Sequence, residues 1–131
     1  MHGCKPVDTP LLGGWRKEDA TSAEVVDATV YRQLVGPLMY LVNTRLDICY
    51  AVNQLSQAMF KPTKLFQKVG KHVLRYLRGT SGYGLWYRQS DELKLHGFMN
   101  ADWAGSPTDR KSTSGGIFSI GSTAVSWYSR K

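Results

Sequence analysis

The sequence lacks most of what an autonomous enzyme displays. Its two cysteines, Cys4 and Cys49, lie far apart and form no C-x-x-C pair, so no metal framework is visible and no bridge is required. A reduced intracellular setting is the default. The three histidines, His2, His72 and His96, share no ligand spacing. Gly79, Gly82 and Gly84 miss both phosphate-loop patterns, and no serine stands in a G-x-S-x-G elbow. No adjacent Asp-Asp pair is present for nucleotidyl transfer. No apolar run approaches a membrane span. Lys5, Pro6 and Asp8 stand where a signal peptide would carry its apolar region, so the expected location is intracellular, cytoplasm or nucleus. Acidic residues are few: 10 Asp and Glu face 17 Lys and Arg, a net charge of +7. That balance favours polyanionic partners, nucleic acid ahead of an anionic membrane surface.

What is present is globular in character. A hydrophobic share of 42% argues against wholesale disorder. The length of 131 residues suits one domain, yet the patterning suggests parts of two. Residues 1–21 read as a linker, because Pro6, Pro10, Gly13 and Gly14 break any period. A helical pattern follows from near Asp27, with Tyr31, Leu34, Leu38 and Leu41 at spacings of three and four and Val35 and Val42 alongside. Pro37 interrupts it, so this helix either kinks or restarts there. A second helix is capped by Thr44, with Asp47 completing a capping box, and carries Ile48, Val52, Leu55 and Met59. The third spans roughly Lys64 to Leu77, with Phe66, Val69, Val73, Tyr76 and Leu77 facing one way and Gly79 as its stop. After Gly84 the period shifts to strands: Leu85 to Arg88, Leu93 to Met99, Ile117 to Ile120 and Ala124 to Tyr128. Helices followed by a meander of strands predict a segregated α+β fold.

Two features carry chemistry. Lys61, Lys64, Lys68, Lys71, Arg75 and Arg78 recur at spacings of three and four, which puts those within the third helix on one helical face. A single-sign stripe repels itself, and phosphates are the natural compensation, in preference to a merely solvated face. Arg110 and Lys111, beside Ser112 and Thr113, form a weaker phosphate candidate, since turns before strands are commonly polar. The second feature is the strand ending Phe98-Met99-Asn100-Ala101-Asp102-Trp103. It opens as a metal-dependent nuclease sheet does, but Asn100 places an amide where such a site wants a carboxylate. Asp102 is either a ligand or, as favoured here, the cap of the turn leading to Gly105. One carboxylate holds no two-metal centre, so neither a catalytic residue nor a metal site is expected. Trp103 and Trp127 read as packing residues ahead of base-stacking platforms.

The ordered motifs Lys5-Pro6-Val7, Tyr31-Arg32, Leu34-Val35-Gly36, Thr44-Arg45 to Asp47-Ile48, Tyr50-Ala51-Val52, Pro62-Thr63, Val73-Leu74-Arg75-Tyr76-Leu77-Arg78-Gly79-Thr80, Ala101-Asp102-Trp103-Ala104-Gly105, Arg110-Lys111-Ser112-Thr113-Ser114-Gly115 and Val125-Ser126-Trp127 resemble the Pol polyprotein of copia-type LTR retrotransposons. The resemblance covers nearly the whole chain. It implies the end of the reverse transcriptase, thumb and connection, over residues 22–80, and the opening strands of an RNase H domain over residues 81–131. The implied fold is a three-helix thumb-like bundle followed by an incomplete antiparallel RNase H-like sheet. The family's thumb grips the template–primer duplex, which suits the stripe from Lys61 to Arg78. Its first nuclease aspartate falls on Asn100. The later acids are expected beyond Lys131 and the polymerase aspartates before Met1. The parent family uses Mg2+; no cofactor is expected for this chain. The family pattern is also broken at Leu46, where proline is usual, at Pro37, at Phe66 and at His72.

Three functions compete on this reading. The first is a degenerate reverse transcriptase–RNase H fragment, inactive as an enzyme and binding an RNA–DNA hybrid or DNA duplex through its basic helix. The second is a host-adopted nucleic-acid-binding module. The third, a non-enzymatic secreted effector, rests on the R-x-L-R spelling of Arg75-Tyr76-Leu77-Arg78. An unpaired edge of the sheet predicts self-association.

Overall fold

The structure is a computed structural model that describes residues 3–85, 94–101, 110–120 and 122–131. It divides into two compact units, Met1–Gly82 and Tyr83–Lys131. The first is helical and the second holds an antiparallel sheet, so the α+β class stands.

The helical unit contains α1 (Lys17–Thr21), α2 (Ala28–Leu41), a 3-10 turn at Leu46–Ile48, α3 (Cys49–Ser56) and α4 (Lys64–Gly79). Asp27 starts α2 by accepting from the Thr29 amide at 2.8 Å, which satisfies one orphan donor of the first turn. Pro37 lies inside a single continuous α2. It sits on the exposed side with Gly36, where the Gln33 carbonyl it leaves unbonded can be hydrated. The capping box read at Thr44 and Asp47 does not form. The Thr44 hydroxyl donates back to the Leu41 carbonyl at 3.2 Å, and a short 3-10 turn precedes α3. Asp47 is engaged elsewhere, as described below.

The core is built at the spacings a helix requires. Tyr31, Val35 and Leu38 from α2, Ile48, Val52 and Leu55 from the 3-10 turn and α3, and Phe66, Val69, Val73 and Tyr76 from α4 are all buried. The buried stripe of α2 is therefore offset from the one expected: Leu34 is half-buried and Leu41 exposed. Leu34 has a specific seat. A Cβ on Gly70 would lie 2.7 Å from its Cδ2, so α4 lets α2 approach because position 70 has no side chain. The buried Tyr31 hydroxyl donates to the Leu55 carbonyl at 2.6 Å, and burial pushes this phenol above its ordinary pKa. Trp15 packs edge-on against Phe66, with centroids 5.5 Å apart.

A short antiparallel contact closes the unit. Val25 bridges Thr63, with the Val26 amide donating to the Pro62 carbonyl and the Lys64 amide to the Glu24 carbonyl. Thr63, fully buried ahead of α4, donates its hydroxyl to the Ala20 carbonyl. This ties the start of α4 to α1.

The sequence shows no periodic element before Lys17, and residues 1–21 read there as a linker. In the structure their described part includes α1 and lays Val7, Leu11, Leu12 and Trp15 against the core. Proline and glycine abolish periodicity, but they do not prevent an irregular segment from packing.

The sheet has β1 (Leu95–Ala101), β2 (Ser114–Ile120) and β3 (Thr123–Arg130) in the order β1-β2-β3. Phe118 pairs with Gly97 and Tyr128 with Gly116, and each aromatic ring lies over the glycine opposite. Every residue of β1 is exposed. Of the strand expected at Leu85 to Arg88, Leu85 lies outside any strand and the rest fall outside the described residues.

Candidate nucleic-acid interface

Helix α4 is amphipathic in the strictest sense its sequence allows. Lys64, Lys68, Lys71, Arg75 and Arg78 fall within about 80° of arc at 3.6 residues per turn. The buried Phe66, Val69, Val73 and Tyr76 occupy the opposite side. Because the apolar face is fixed in the core, the cationic face is turned outward. Lys61 precedes the helix and is exposed.

The cations of this face are not equivalent. Lys64 pairs with Glu24 at 2.6 Å, a pair in which both side chains are about two-thirds exposed (65% and 69%). Solvent screening leaves such a pair weak. Lys61, Lys68 and Lys71 are exposed and make no ion pair among the described residues. Toward the C-terminal end of α4 the picture changes. Arg75 donates through Nε to the Lys5 carbonyl at 2.7 Å, and Arg78 through Nη1 to the Cys4 carbonyl at 2.7 Å. His72 donates through Nε2 to the Thr9 carbonyl at 2.8 Å. The segment read as a linker is thus a strap held along one edge of the stripe.

A second polar cluster was not legible as such. Arg45 forks onto Asp47, Nε to Oδ1 at 3.0 Å and Nη2 to Oδ2 at 2.8 Å. The same guanidinium reaches the Thr80 hydroxyl at 2.7 Å and the Thr80 carbonyl at 3.3 Å. Tyr76 donates to Asp47 Oδ2 at 2.6 Å, and the Thr80 hydroxyl donates to the Tyr76 carbonyl at 2.9 Å. The hydrogen bond from Arg45 holds the Asp47 carboxyl below its ordinary range. The bond to Asp47 raises both Arg45 and Tyr76. The cluster locks the turn before α3 to the end of α4. Its members sit in two separate motifs, 45–47 and 76–80, and only the Tyr76–Thr80 spacing of four hinted at a shared place.

In the sheet unit Asn100 is exposed on β1 and pairs with Gly115, which pairs in turn with Ser129. Phe98, Ile117 and Trp127 form the neighbouring row on the same face. Asp102 lies outside the described residues. No described residue of this unit is an aspartate or glutamate, and among the described residues no three His, Cys, Asp or Glu converge. Magnesium, which the copia resemblance implies for the parent, needs hard anionic oxygens. Asn100 offers such an ion only a neutral amide oxygen. Arg110 and Lys111 are exposed just before β2, and Arg110 adopts a left-handed φ of 55°. They share no element with the stripe of α4.

No helix among the described residues is long and apolar enough to cross a membrane. No family model matches the chain, and no solved structure matches it. Known proteins do. The chain is 42% identical over 131 residues to the retrovirus-related Pol polyprotein from transposon RE1 of Arabidopsis thaliana, covering all of this chain and 9% of that protein. It is 38% identical over 131 residues to an uncharacterized mitochondrial protein of the same plant, 54% of whose length it spans. It is 44% identical over 102 residues to secreted RxLR effector protein 161 of Plasmopara viticola, covering 77% of this chain and 72% of that protein. Whole-chain coverage against transposon polyproteins, in which it spans about a tenth of the length or less (9–10%), places the match inside a larger Pol sequence. The chain belongs to the copia-type retrotransposon Pol family.

Proposed function

We propose that this chain is a degenerate Pol fragment that binds the backbone of a nucleic-acid duplex through α4 and has no polymerase or nuclease activity of its own. The observation that carries the reading is the outward cationic face from Lys61 to Arg78, set opposite a buried apolar face. Each neutralised phosphate releases counterions, so such a face binds with strong salt dependence and no base code. The helical unit corresponds in this reading to the thumb and connection region, and the sheet to the first strands of an RNase H-like domain. Asn100 replaces the acid from which a magnesium site would start. Among the described residues β1 is an edge strand, which supports self-association.

The effector reading is disfavoured by where its motif lies. Arg75-Tyr76-Leu77-Arg78 is inside α4, Tyr76 is buried, and both arginines hold strap carbonyls. A linear motif must be accessible as extended chain, and this one is part of a core.

Filter binding to a DNA duplex and to an RNA–DNA hybrid across salt tests the interface. Lys68→Glu with Lys71→Glu is expected to reduce affinity at least tenfold at low salt and to flatten the dependence of log K on log salt by about two. Unchanged binding in that variant removes α4 as the contact. Incubation with an RNA–DNA hybrid and magnesium is expected to leave the hybrid intact. Cleavage that purifies with the chain and changes with Asn100→Ala overturns the inactive assignment.

A further inference from the structure

The strap and a polyanion compete for the same donors. His72, Arg75 and Arg78 each spend a hydrogen bond on a strap carbonyl, those of Thr9, Lys5 and Cys4. Lys61, Lys68 and Lys71 spend none in this way among the described residues. The stripe is therefore divided lengthwise, with an open end near the start of α4 and a covered end near its finish.

The seat of the strap is shaped as well as charged. A Cβ on Gly79 would lie 2.8 Å from the Cβ of Pro6, so the strap reaches the last turn of α4 because position 79 carries no side chain. Gly79 has no left-handed φ that would otherwise demand glycine. The contact with Pro6 is then the constraint the structure offers at this position.

We propose that residues Cys4–Thr9 act as an intramolecular stand-in for phosphate. They withhold Arg75 and Arg78, so the resting chain offers a duplex only the lysine end of the stripe. This rests on the reading of α4 as a phosphate contact and specifies its regulation. Carbonyl oxygens are neutral and phosphate oxygens are charged, so the exchange favours the ligand increasingly as salt falls. Strap opening itself releases no counterions from the ligand. A plot of log K against log salt is then curved, steeper at low salt where the arginines join.

The full chain carrying Gly79→Ala tests this, because it crowds Pro6 while keeping every cation. Two readouts are taken: binding to a short DNA duplex across salt, and the labelling rate of the free, half-buried Cys4 by a thiol reagent, with buried Cys49 as the internal reference. Gly79→Ala is expected to speed Cys4 labelling severalfold and to steepen the salt slope by about one to two. Arg75→Gln is expected to leave the parent's slope at high salt unchanged and to remove about one unit of slope from the Gly79→Ala chain. Gly79→Leu, a larger intrusion, repeats the measurement. Equal slopes in variants whose Cys4 labels faster overturn the proposal, and so does unchanged labelling in both variants. If Lys68→Glu with Lys71→Glu leaves binding intact, the α4 reading itself has failed. If that pair weakens binding while Gly79→Ala changes nothing, only the strap has failed.

Discussion

The two units of this chain are held by different means. The helical unit has an interior: four helices and a 3-10 turn contribute side chains with almost no exposed surface. The sheet has register but little interior. Its strands pair in order, yet Leu95, Phe98 and Met99 on β1 are 70%, 66% and 76% exposed. Burial of apolar area is the dominant favourable term in folding. Backbone pairing alone contributes little net, because water offers the same hydrogen bonds to the open chain. A unit that keeps its large apolar groups in a core can tolerate loss of peripheral charge. A unit of exposed strands depends on cross-strand pairs and on whatever covers its faces.

The comparison is sharpened most by matched truncations. Leu55→Ala, in the helical core, is expected to cost about 3 kcal/mol, read as a shift of the urea midpoint of the helical unit. Phe98→Ala on β1 is expected to stay within about 0.5 kcal/mol. Equal losses would break the contrast. Gly116→Val comes next, because its side chain would collide with the ring of Tyr128. A cost of about 2 kcal/mol is expected, confined to the sheet and visible as faster amide exchange in β2 and β3. Asp47→Asn should cost about 1–2 kcal/mol by weakening the bonds to Arg45 and Tyr76. The sign of its pH dependence follows from the lowered carboxyl. The stabilisation is complete above the unfolded value of about 3.9 and is lost as pH falls through the lower folded value. Acid titration of the parent should therefore show a loss in that window that Asp47→Asn lacks. Smallest of all, Lys64→Gln removes an exposed pair with Glu24 and should change stability by less than about 0.5 kcal/mol.

Local periodicity made much of this visible beforehand. In α4 the apolar and basic positions alternate at three and four, so the core face and the cationic face were both legible. The strands β2 and β3 could be read from their apolar runs. What escaped depends on partners distant in sequence. Leu34 looked like a central core residue because its spacing is helical, but Gly70 gives it a side seat while Val35, legible only as lying alongside, takes the centre. Thr44 and Asp47 spell a capping box, yet Arg45 and Tyr76 outbid the local amide for the carboxylate. The strap was invisible for a general reason. It binds through main-chain carbonyls, which every residue has, so no residue type announces it. Among the candidate site residues, the position of the cations on α4 was readable and their unequal availability was not.

The rings of Phe118 and Tyr128, each resting on a bare glycine of the strand opposite, work as lugs in matching hollows. A slide of β1 by one residue would press Phe118 onto His96 or Phe98, so the pairing of β1 with β2 has one phase, whereas Tyr128 has a second bare position beside it at Gly115. Among the described residues β1 is the outer strand, and its one glycine, Gly97, is already filled from β2. Any foreign strand that docked along its outer rim would find hydrogen bonds at every step and nothing to select among them. Assemblies formed there would be polymorphic, a mixture of offsets rather than a single dimer.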